Sequence, residues 1–553
     1  MPLRPFFLTL VALAVSLDTR AAAPSRVTLS IVGTSDLHGR IAALPWFAGF
    51  LGNLRAARAR DGGAVVLVDA GDMFQGTLES NLDEGAPVVA AYNALGYAAA
   101  AIGNHEFDFG PVGPASSPTV PGDDPQGALK ARAAQASFPF LAANVVDART
   151  HEPVAWPNVR PSVIASVAGI KVGIVGVTSA ATGSLAPPDR VAGLAFLPLA
   201  ETVAREVRKL RKSGAKVVVA VVHEGGACQD FANPNRHASC DTRSPIFSLA
   251  RDLPSGSVDA IVAGHTHQAI AHRVRSVPII QSYANGRAFG RVDLTLDRRT
   301  GRVLASRIKP PHAICPSGKP AACAPGKYEG AEVLADGKLT ALNASAFAAV
   351  RKQSHERLGV EVLRPLPHRR REESALGNLL ADLMRQARPA SDVAVLNGGA
   401  MRAGLPAGPL TYGSLYQTFP FDNVFATVRM PAGDFRAVLT RNLIRTGAQP
   451  SLSGVRVLGR CQAGRLDVNL LRPNGKPIAD DEVLTIITLD FLATGGDDFF
   501  AGAKATLESG PPLREAMAEV LRARGGTLDP DKLFDAKHPR FDLPGPVPVR
   551  CRR

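Results

Sequence analysis

The stretch Gly103-Asn104-His105-Glu106-Phe107-Asp108 sets a carboxamide, an imidazole and a carboxylate beside one another, directly after the apolar run Ala98 to Ile102. Such groups just past the carboxyl end of a buried strand line the crevice where open α/β sheets bind ligands. Asn, Asp and Gly are also ordinary turn residues, so this segment alone does not separate a site from a turn. Four further segments repeat the arrangement: Asp36-Leu37-His38, Gly71-Asp72, His223-Glu224 and Gly264-His265-Thr266-His267. In a locally extended segment, residues two apart share a face, so Asp36 with His38 and His265 with His267 can each approach one cation. Taken singly, each is more often a surface or core residue than a ligand. Five strand ends in order, all carrying oxygen and nitrogen donors, supply enough for two octahedral or five-coordinate divalent ions sharing one carboxylate.

The elements that must position these groups are legible from hydrophobic pattern. Arg26 to Thr34, Ala64 to Val68, Ala98 to Ile102, Lys216 to Val222 and Ser257 to Val262 read as strands, each ending where a donor residue begins. Further strands are expected at Phe140 to Ala143, Val163 to Val167 and Lys171 to Val177. Leu44 to Arg60, Pro87 to Leu95, Gly127 to Ser137 and Leu199 to Lys212 read as helices, and Gly110 to Pro125, rich in Pro, Gly and Ser, as a surface loop. The other seven histidines, His151, His237, His272, His312, His355, His368 and His538, are assigned to surface or packing roles.

At 553 residues the chain exceeds a single core and divides into domains. Arg4, the apolar run Phe6 to Leu17 and the small residues Ala21 to Ala23 form a secretory signal over residues 1–23, too short to span a bilayer. The mature protein is therefore expected to be exported, periplasmic or extracellular, with no membrane anchor. Six cysteines fit an oxidising compartment, and six allow fifteen pairings. Proximity favours Cys228 with Cys240 and Cys315 with Cys323, leaving Cys461 for Cys551; zinc binding by these thiols is the rival, weakened by the absence of a Cys-x-x-Cys pair. A formal charge of +14 suits anionic small molecules or surfaces in general, but arginine is spread without a dense block, so no nucleic-acid polymer is expected as partner. No obligate protein partner is evident.

The second half begins after a Pro, Gly and Cys-rich junction, Pro310 to Gly330, and an Ala-rich helix expected over Asp336 to Leu358. Leu376, Leu379, Leu380, Leu383 and Met384 form a buried helical stripe with Ser374 as cap. The strand Val393 to Leu396 delivers Asn397-Gly398-Gly399-Ala400-Met401-Arg402, where glycines let a ligand approach backbone amides and Arg402 offers a fork for phosphate or carboxylate. Two aromatic segments follow, Phe419-Pro420-Phe421-Asp422-Asn423 and Phe491-Leu492-Ala493-Thr494-Gly495-Gly496-Asp497-Asp498-Phe499.

Together these motifs resemble the secreted 5′-nucleotidase family, a branch of the calcineurin-like metallophosphoesterases, over nearly the whole mature chain from Arg26 to about Asp542. The resemblance implies an α/β fold: a four-layer αββα metallophosphoesterase domain at 26–309, a junction and linker helix at 310–360, and a smaller α/β 5′-nucleotidase C-terminal domain at 361–545. It implies that Asp36, His38 and His267 hold one divalent metal, that Asp72 bridges, and that Asn104, His223 and His265 hold a second, with manganese, zinc, cobalt or a similar ion in each. It implies that His105, oriented by Asp108, stabilises the transition state. By the same likeness Phe421 and Phe499 clamp the base, and Arg370, Asn397 and Arg402 are polar substrate contacts. Ser35 departs from the Asn many relatives carry, and Asp498 stands where relatives commonly have Gly. The expected activity is release of phosphate from nucleoside 5′-monophosphates, with nucleoside diphosphates or UDP-sugars as further substrates. A 2′,3′-cyclic nucleotide phosphodiesterase or another esterase of this architecture is the alternative, and a nucleotide-binding protein without activity the non-enzyme rival.

Overall fold

The computed structural model describes residues 25–113, 122–445, 447–508 and 510–551. The expected signal segment lies outside the described residues, as do residues 114–121 of the loop expected at Gly110 to Pro125. No helix among the described residues is long and apolar enough to cross a membrane.

The first half is built on two sheets. One has seven strands, in the spatial order Val303–Ala313, Ala288–Asp297, Arg26–Thr34, Ala64–Asp69, Ala99–Ala101, Phe140–Leu141 and Val159–Arg160. The other has six, in the order Ala269–Val274, Val277–Ser282, Ala260–Ala263, Val217–His223, Ile170–Thr178 and Ser162–Val167. Their near-continuous Val, Ile and Ala content suits strands covered on both faces. Alternate residues face the other sheet: Leu29, Ile31, Val66 and Val68 pack with Val172, Val219, Val221 and Val262. Gly33 lets the sheets close, because a Cβ there would lie 2.4 Å from a methyl of Val262. The outer faces are covered by helices. Phe47, Phe50 and Leu54 of Leu44–Arg60 and Val88, Val89 and Tyr92 of Ala86–Leu95 pack on the first sheet. Val203, Val207 and Leu210 of Leu199–Lys212 and Ile246 and Phe247 of Pro245–Asp252 pack on the second. The result is the four-layer αββα order.

Site-bearing strands sit in the middle of each sheet and run parallel to one another: Arg26–Thr34 with Ala64–Asp69 and then Ala99–Ala101, and Val217–His223 with Ala260–Ala263. Their carboxyl ends therefore meet at one edge of the sandwich. The pairs Cys228–Cys240, Cys315–Cys323 and Cys461–Cys551 are disulfides, so the thiols are not free to hold zinc.

Between the halves the helix runs over Gly337–Ser354, capped by Asp336, whose side chain accepts the Leu339 N–H at 2.7 Å. It does not continue to Leu358 as expected. Arg357–Val362 is a strand in which Leu358, Val360 and Val362 are buried and their neighbours exposed, a period of two that the Ala-rich run obscures. The second half has a five-stranded sheet in the order Ser451–Ser453, Val393–Leu396, Val483–Leu489, Phe425–Pro431 and Ala505–Leu507. Helix Ala375–Ala387, with Ser374 accepting the Gly377 N–H at 3.1 Å, packs its leucine stripe on one face beside Leu513–Arg524. Ala432–Arg445 covers the other face.

Candidate active site

Asp36, His38, Asp72, His265 and His267 all have left-handed backbones, with φ of 52°, 50°, 58°, 73° and 56°. A non-glycine residue held there costs of order 1–3 kcal/mol and persists only where its surroundings fix it. Here the surroundings are a weave of backbone hydrogen bonds. Asp36 N–H donates to Gly71 O at 2.8 Å, His38 N–H to Asp72 O at 3.0 Å, and Asn285 N–H to Asp36 O at 2.7 Å. Buried Glu106 accepts from the N–H groups of Gly103, Asp72 and Met73 at 2.7, 2.8 and 2.7 Å, pinning two of the loops together. Gly103 is required at its place, since a Cβ would lie 2.2 Å from Asp72 Oδ1.

These loops bring together two donor groups. Asp36, His38, Asp72 and His267 form one, Asp72, His223 and His265 the other, with donor atoms within 4.8 Å of one another in each. Asp72 belongs to both, and Asn104 Oδ1 lies 3.1 Å from His223 Nε2. The tautomers fit cation binding. His38 Nδ1 donates to Gln75 O at 2.8 Å and His223 Nδ1 to Ala70 O at 2.7 Å, which turns each Nε2 toward the centre. His38 Nε2 then faces His267 Nε2 at 2.9 Å. Imidazole nitrogens this close, beside two buried carboxylates, are a donor set that suits a divalent cation.

Electrostatics agree at three of the four imidazoles; at His223 burial opposes the charged form, but Asp72 and Asp36 outweigh it and lift the ring to about 10. Burial, with Arg402 and neighbouring imidazoles, holds His38 and His267 well below the usual imidazole range, and burial with His223 takes His265 down to about 3. Neutral imidazole is the ligand form. Burial works against the Asp72 carboxylate, yet His223 and His105 keep it well below the ordinary value. Burial and nearby Asp72 lift Asp36 to about 7, although His223 opposes them.

His105 stands beside these groups. Its Nδ1 is 2.6 Å from Asp108 Oδ2, and its ring lies 5.3 Å from that of His38. The second half closes over it: the Phe421 ring is 5.7 Å from the His105 ring, and Arg402 Nη2 is 3.1 Å from His38 Nε2. A cavity of about 330 Å³ results, lined from the first half by Asp72, Asn104, His105, Asp108, His265 and His267. From the second half come Arg370, Asn397, Arg402, Phe421, Phe491 and Asp497.

Phe499 does not reach this space, which corrects its expected place in the clamp. It is 2% exposed, packed 4.9 Å from the Phe500 ring in the core that includes Phe435. Phe491 faces the cavity instead, two residues past the end of Val483–Leu489. The strand-end rule that locates the other site residues locates this one too. Asp497, inside the Phe491 to Phe499 segment but given no role from sequence, accepts from Asn397 Nδ2 at 2.7 Å. Asp498 points away and pairs with Arg445 at 3.3 Å.

The sequence profile of the calcineurin-like phosphoesterase family matches residues 29–269, and that of the 5′-nucleotidase C-terminal domain matches residues 356–504. The chain is 27% identical over 541 residues to the 5′-nucleotidase of Diplobatis ommata, covering 89% of this chain and 86% of that one. Endonuclease YhcR of Bacillus subtilis is 26% identical over 497 residues, 86% of this chain, and the chain spans 38% of its length. The crystal structure of a 5′-nucleotidase precursor from Thermus thermophilus shares the fold, with a TM-score of 0.72 at 23% identity over 93% of this chain and 99% of that one.

Proposed function

From a chain that belongs to the calcineurin-like phosphoesterases, phosphoric ester hydrolases, and carries a 5′-nucleotidase C-terminal domain, we propose an exported, dinuclear 5′-nucleotidase. The observation that carries this reading is one cavity with imidazole and carboxylate donors at one end and two aromatics, Phe421 and Phe491, lining it from the second half. Nucleoside diphosphates and UDP-sugars are further substrates in this reading. Export rests on the signal-like amino terminus and three disulfides.

Asp36, His38 and His267 would hold one cation, Asn104, His223 and His265 a second, with Asp72 between them. Two such cations supply Lewis acidity, drawing charge from the phosphoryl oxygens and making water a stronger acid. The chain does the rest. Arg402, half-buried next to His38, offers N–H groups to a phosphoryl oxygen. Asp108 accepts from Nδ1 of His105 and fixes the ring's orientation, and Nε2 would act as the donor to the phosphoryl group or to the leaving oxygen. Phe421 and Phe491 stack on the base, and Leu185 and Pro187 help wall the cavity from solvent. Stacking accepts any base, so breadth across nucleotides is expected.

The test is turnover by purified protein, stripped and reloaded with Mn, Zn, Co, Ca or Mg, on adenosine 5′-monophosphate, adenosine diphosphate, UDP-glucose, a 2′,3′-cyclic nucleotide and 4-nitrophenyl phosphate. The 5′-monophosphate should lead in kcat/KM. A clear lead of the cyclic nucleotide in every metal form would replace the nucleotidase by the phosphodiesterase reading.

A further inference from the structure

Gln75 lies three residues beyond Asp72 and is 2% exposed, yet neither its Nε2 nor its Oε1 has a hydrogen-bond partner among the described residues. Only its backbone carbonyl is used, by His38 Nδ1. Orphaned buried amides are rare because each forfeits its hydration without replacement. The side chain borders a small cavity of about 30 Å³, adjoining the catalytic one, whose wall also includes Asp108, Arg190, Phe421, Asp422 and Asn423. That volume has room for one or two waters, and the lining supplies the two to four polar partners a buried water needs. Arg190, 5% exposed, also has an unpaired Nε. An apolar group would leave all of these unsatisfied.

We propose that Gln75 is a positioning residue for His105, acting through a trapped water that its carboxamide shares with Asp108. Asp108 fixes the imidazole by accepting from Nδ1 at 2.6 Å. A water held by Gln75 restrains the Asp108 carboxylate from behind. Phe421, Asp422 and Asn423 come from the second half, so the water is enclosed only when the two halves are together. The link therefore couples closure over substrate to the orientation of His105. The inference rests on the catalytic role proposed for His105, and its test separates the two.

The test is a double-mutant cycle on the metal-loaded, full chain, with Gln75→Met and His105→Ala singly and combined. Gln75→Met keeps side-chain length and removes both polar atoms. It should lower kcat about 10-fold with KM for adenosine monophosphate and metal content unchanged. In the His105→Ala background it should change kcat by less than about 2-fold, because there is no imidazole left to orient. An equal fall in both backgrounds, or none in the wild type, overturns the proposal. No effect of His105→Ala itself overturns the catalytic reading instead. Should Gln75→Met melt too low to assay, a high-resolution crystal structure of the wild type decides: water density bonded to both Gln75 and Asp108 supports the link, and an apolar or empty cavity sinks it.

Discussion

Arg402 Nη2 lies 3.1 Å from His38 Nε2, so a guanidinium from one half of the chain meets a candidate metal ligand from the other. Burial and the neighbouring Arg370 push Arg402 down to about 10, which still leaves it charged at neutral pH. Asp72, Asp108 and Asp36 already offset part of the charge of this half-buried guanidinium, and a phosphoryl group arriving beside it would offset more. Arg402→Ala should lower kcat/KM about 10- to 100-fold, matching a lost charged hydrogen bond of about 1.5–3 kcal/mol. The loss should be alike for nucleotides and for 4-nitrophenyl phosphate, measured side by side, since it concerns the phosphate alone. Arg402→Lys should recover little, because a point charge replaces a planar fork.

Asp72 is the carboxylate common to both donor groups. Asp72→Ala should abolish turnover and lower bound metal as read by elemental analysis. Chelation of the wild type should lower its melting temperature, and readdition of Mn or Zn should restore it, since a ligand at about 100 times its Kd stabilises by about 2.7 kcal/mol. A melting curve indifferent to chelator would count against resident cations.

The donor residues are legible because strand ends are easy to read: an apolar run of Val and Ala stops where Asp, Asn or His begins. The helix Leu199–Lys212 and the strand Arg26–Thr34 have the bounds expected from pattern. What sequence does not supply is anything fixed by long-range backbone bonding. The left-handed φ of Asp36 depends on Gly71 and Asn285, far apart along the chain, and no local signal announces it. Glu106 illustrates the same limit. It sits between Asn104, His105 and Asp108 in a stretch that reads as chemistry, yet it faces inward and serves backbone N–H groups. Phe499 is misplaced by the family resemblance, because phenylalanines stand at both ends of that segment and the likeness does not say which is buried.

Glu106→Gln tests that internal role. Both carboxylate oxygens accept, and an amide would set its own NH2 against at least one backbone N–H. The expected cost is about 1–3 kcal/mol of stability, seen as an earlier denaturant midpoint at unchanged slope. A midpoint equal to wild type would mean that the loops are held without it.

His105→Ala separates chemistry from metal binding. The imidazole bonds Asp108 and belongs to neither donor group. Turnover should fall about 100-fold or more with metal content unchanged. If metal content falls in step, His105 is a ligand and the assignment of roles is wrong.

The aromatic wall gives the sharpest contrast, because three phenylalanines should behave in two ways. Phe421 and Phe491 line the cavity, and each stacking contact is worth about 1–3 kcal/mol. Phe421→Ala and Phe491→Ala should therefore lower kcat/KM for adenosine monophosphate about 10- to 100-fold while 4-nitrophenyl phosphate changes little. Phe499 is buried beside Phe500, so Phe499→Ala removes core packing rather than a substrate contact. It should cost about 3–5 kcal/mol of stability and leave the ratio of the two specificity constants at the wild-type value in whatever protein remains folded. Measuring that ratio and the melting temperature for all three variants distinguishes the roles. A ratio that shifts with Phe499→Ala and not with Phe491→Ala would return the clamp to Phe499, and a ratio unmoved in all three would mean that no ring here reads the base.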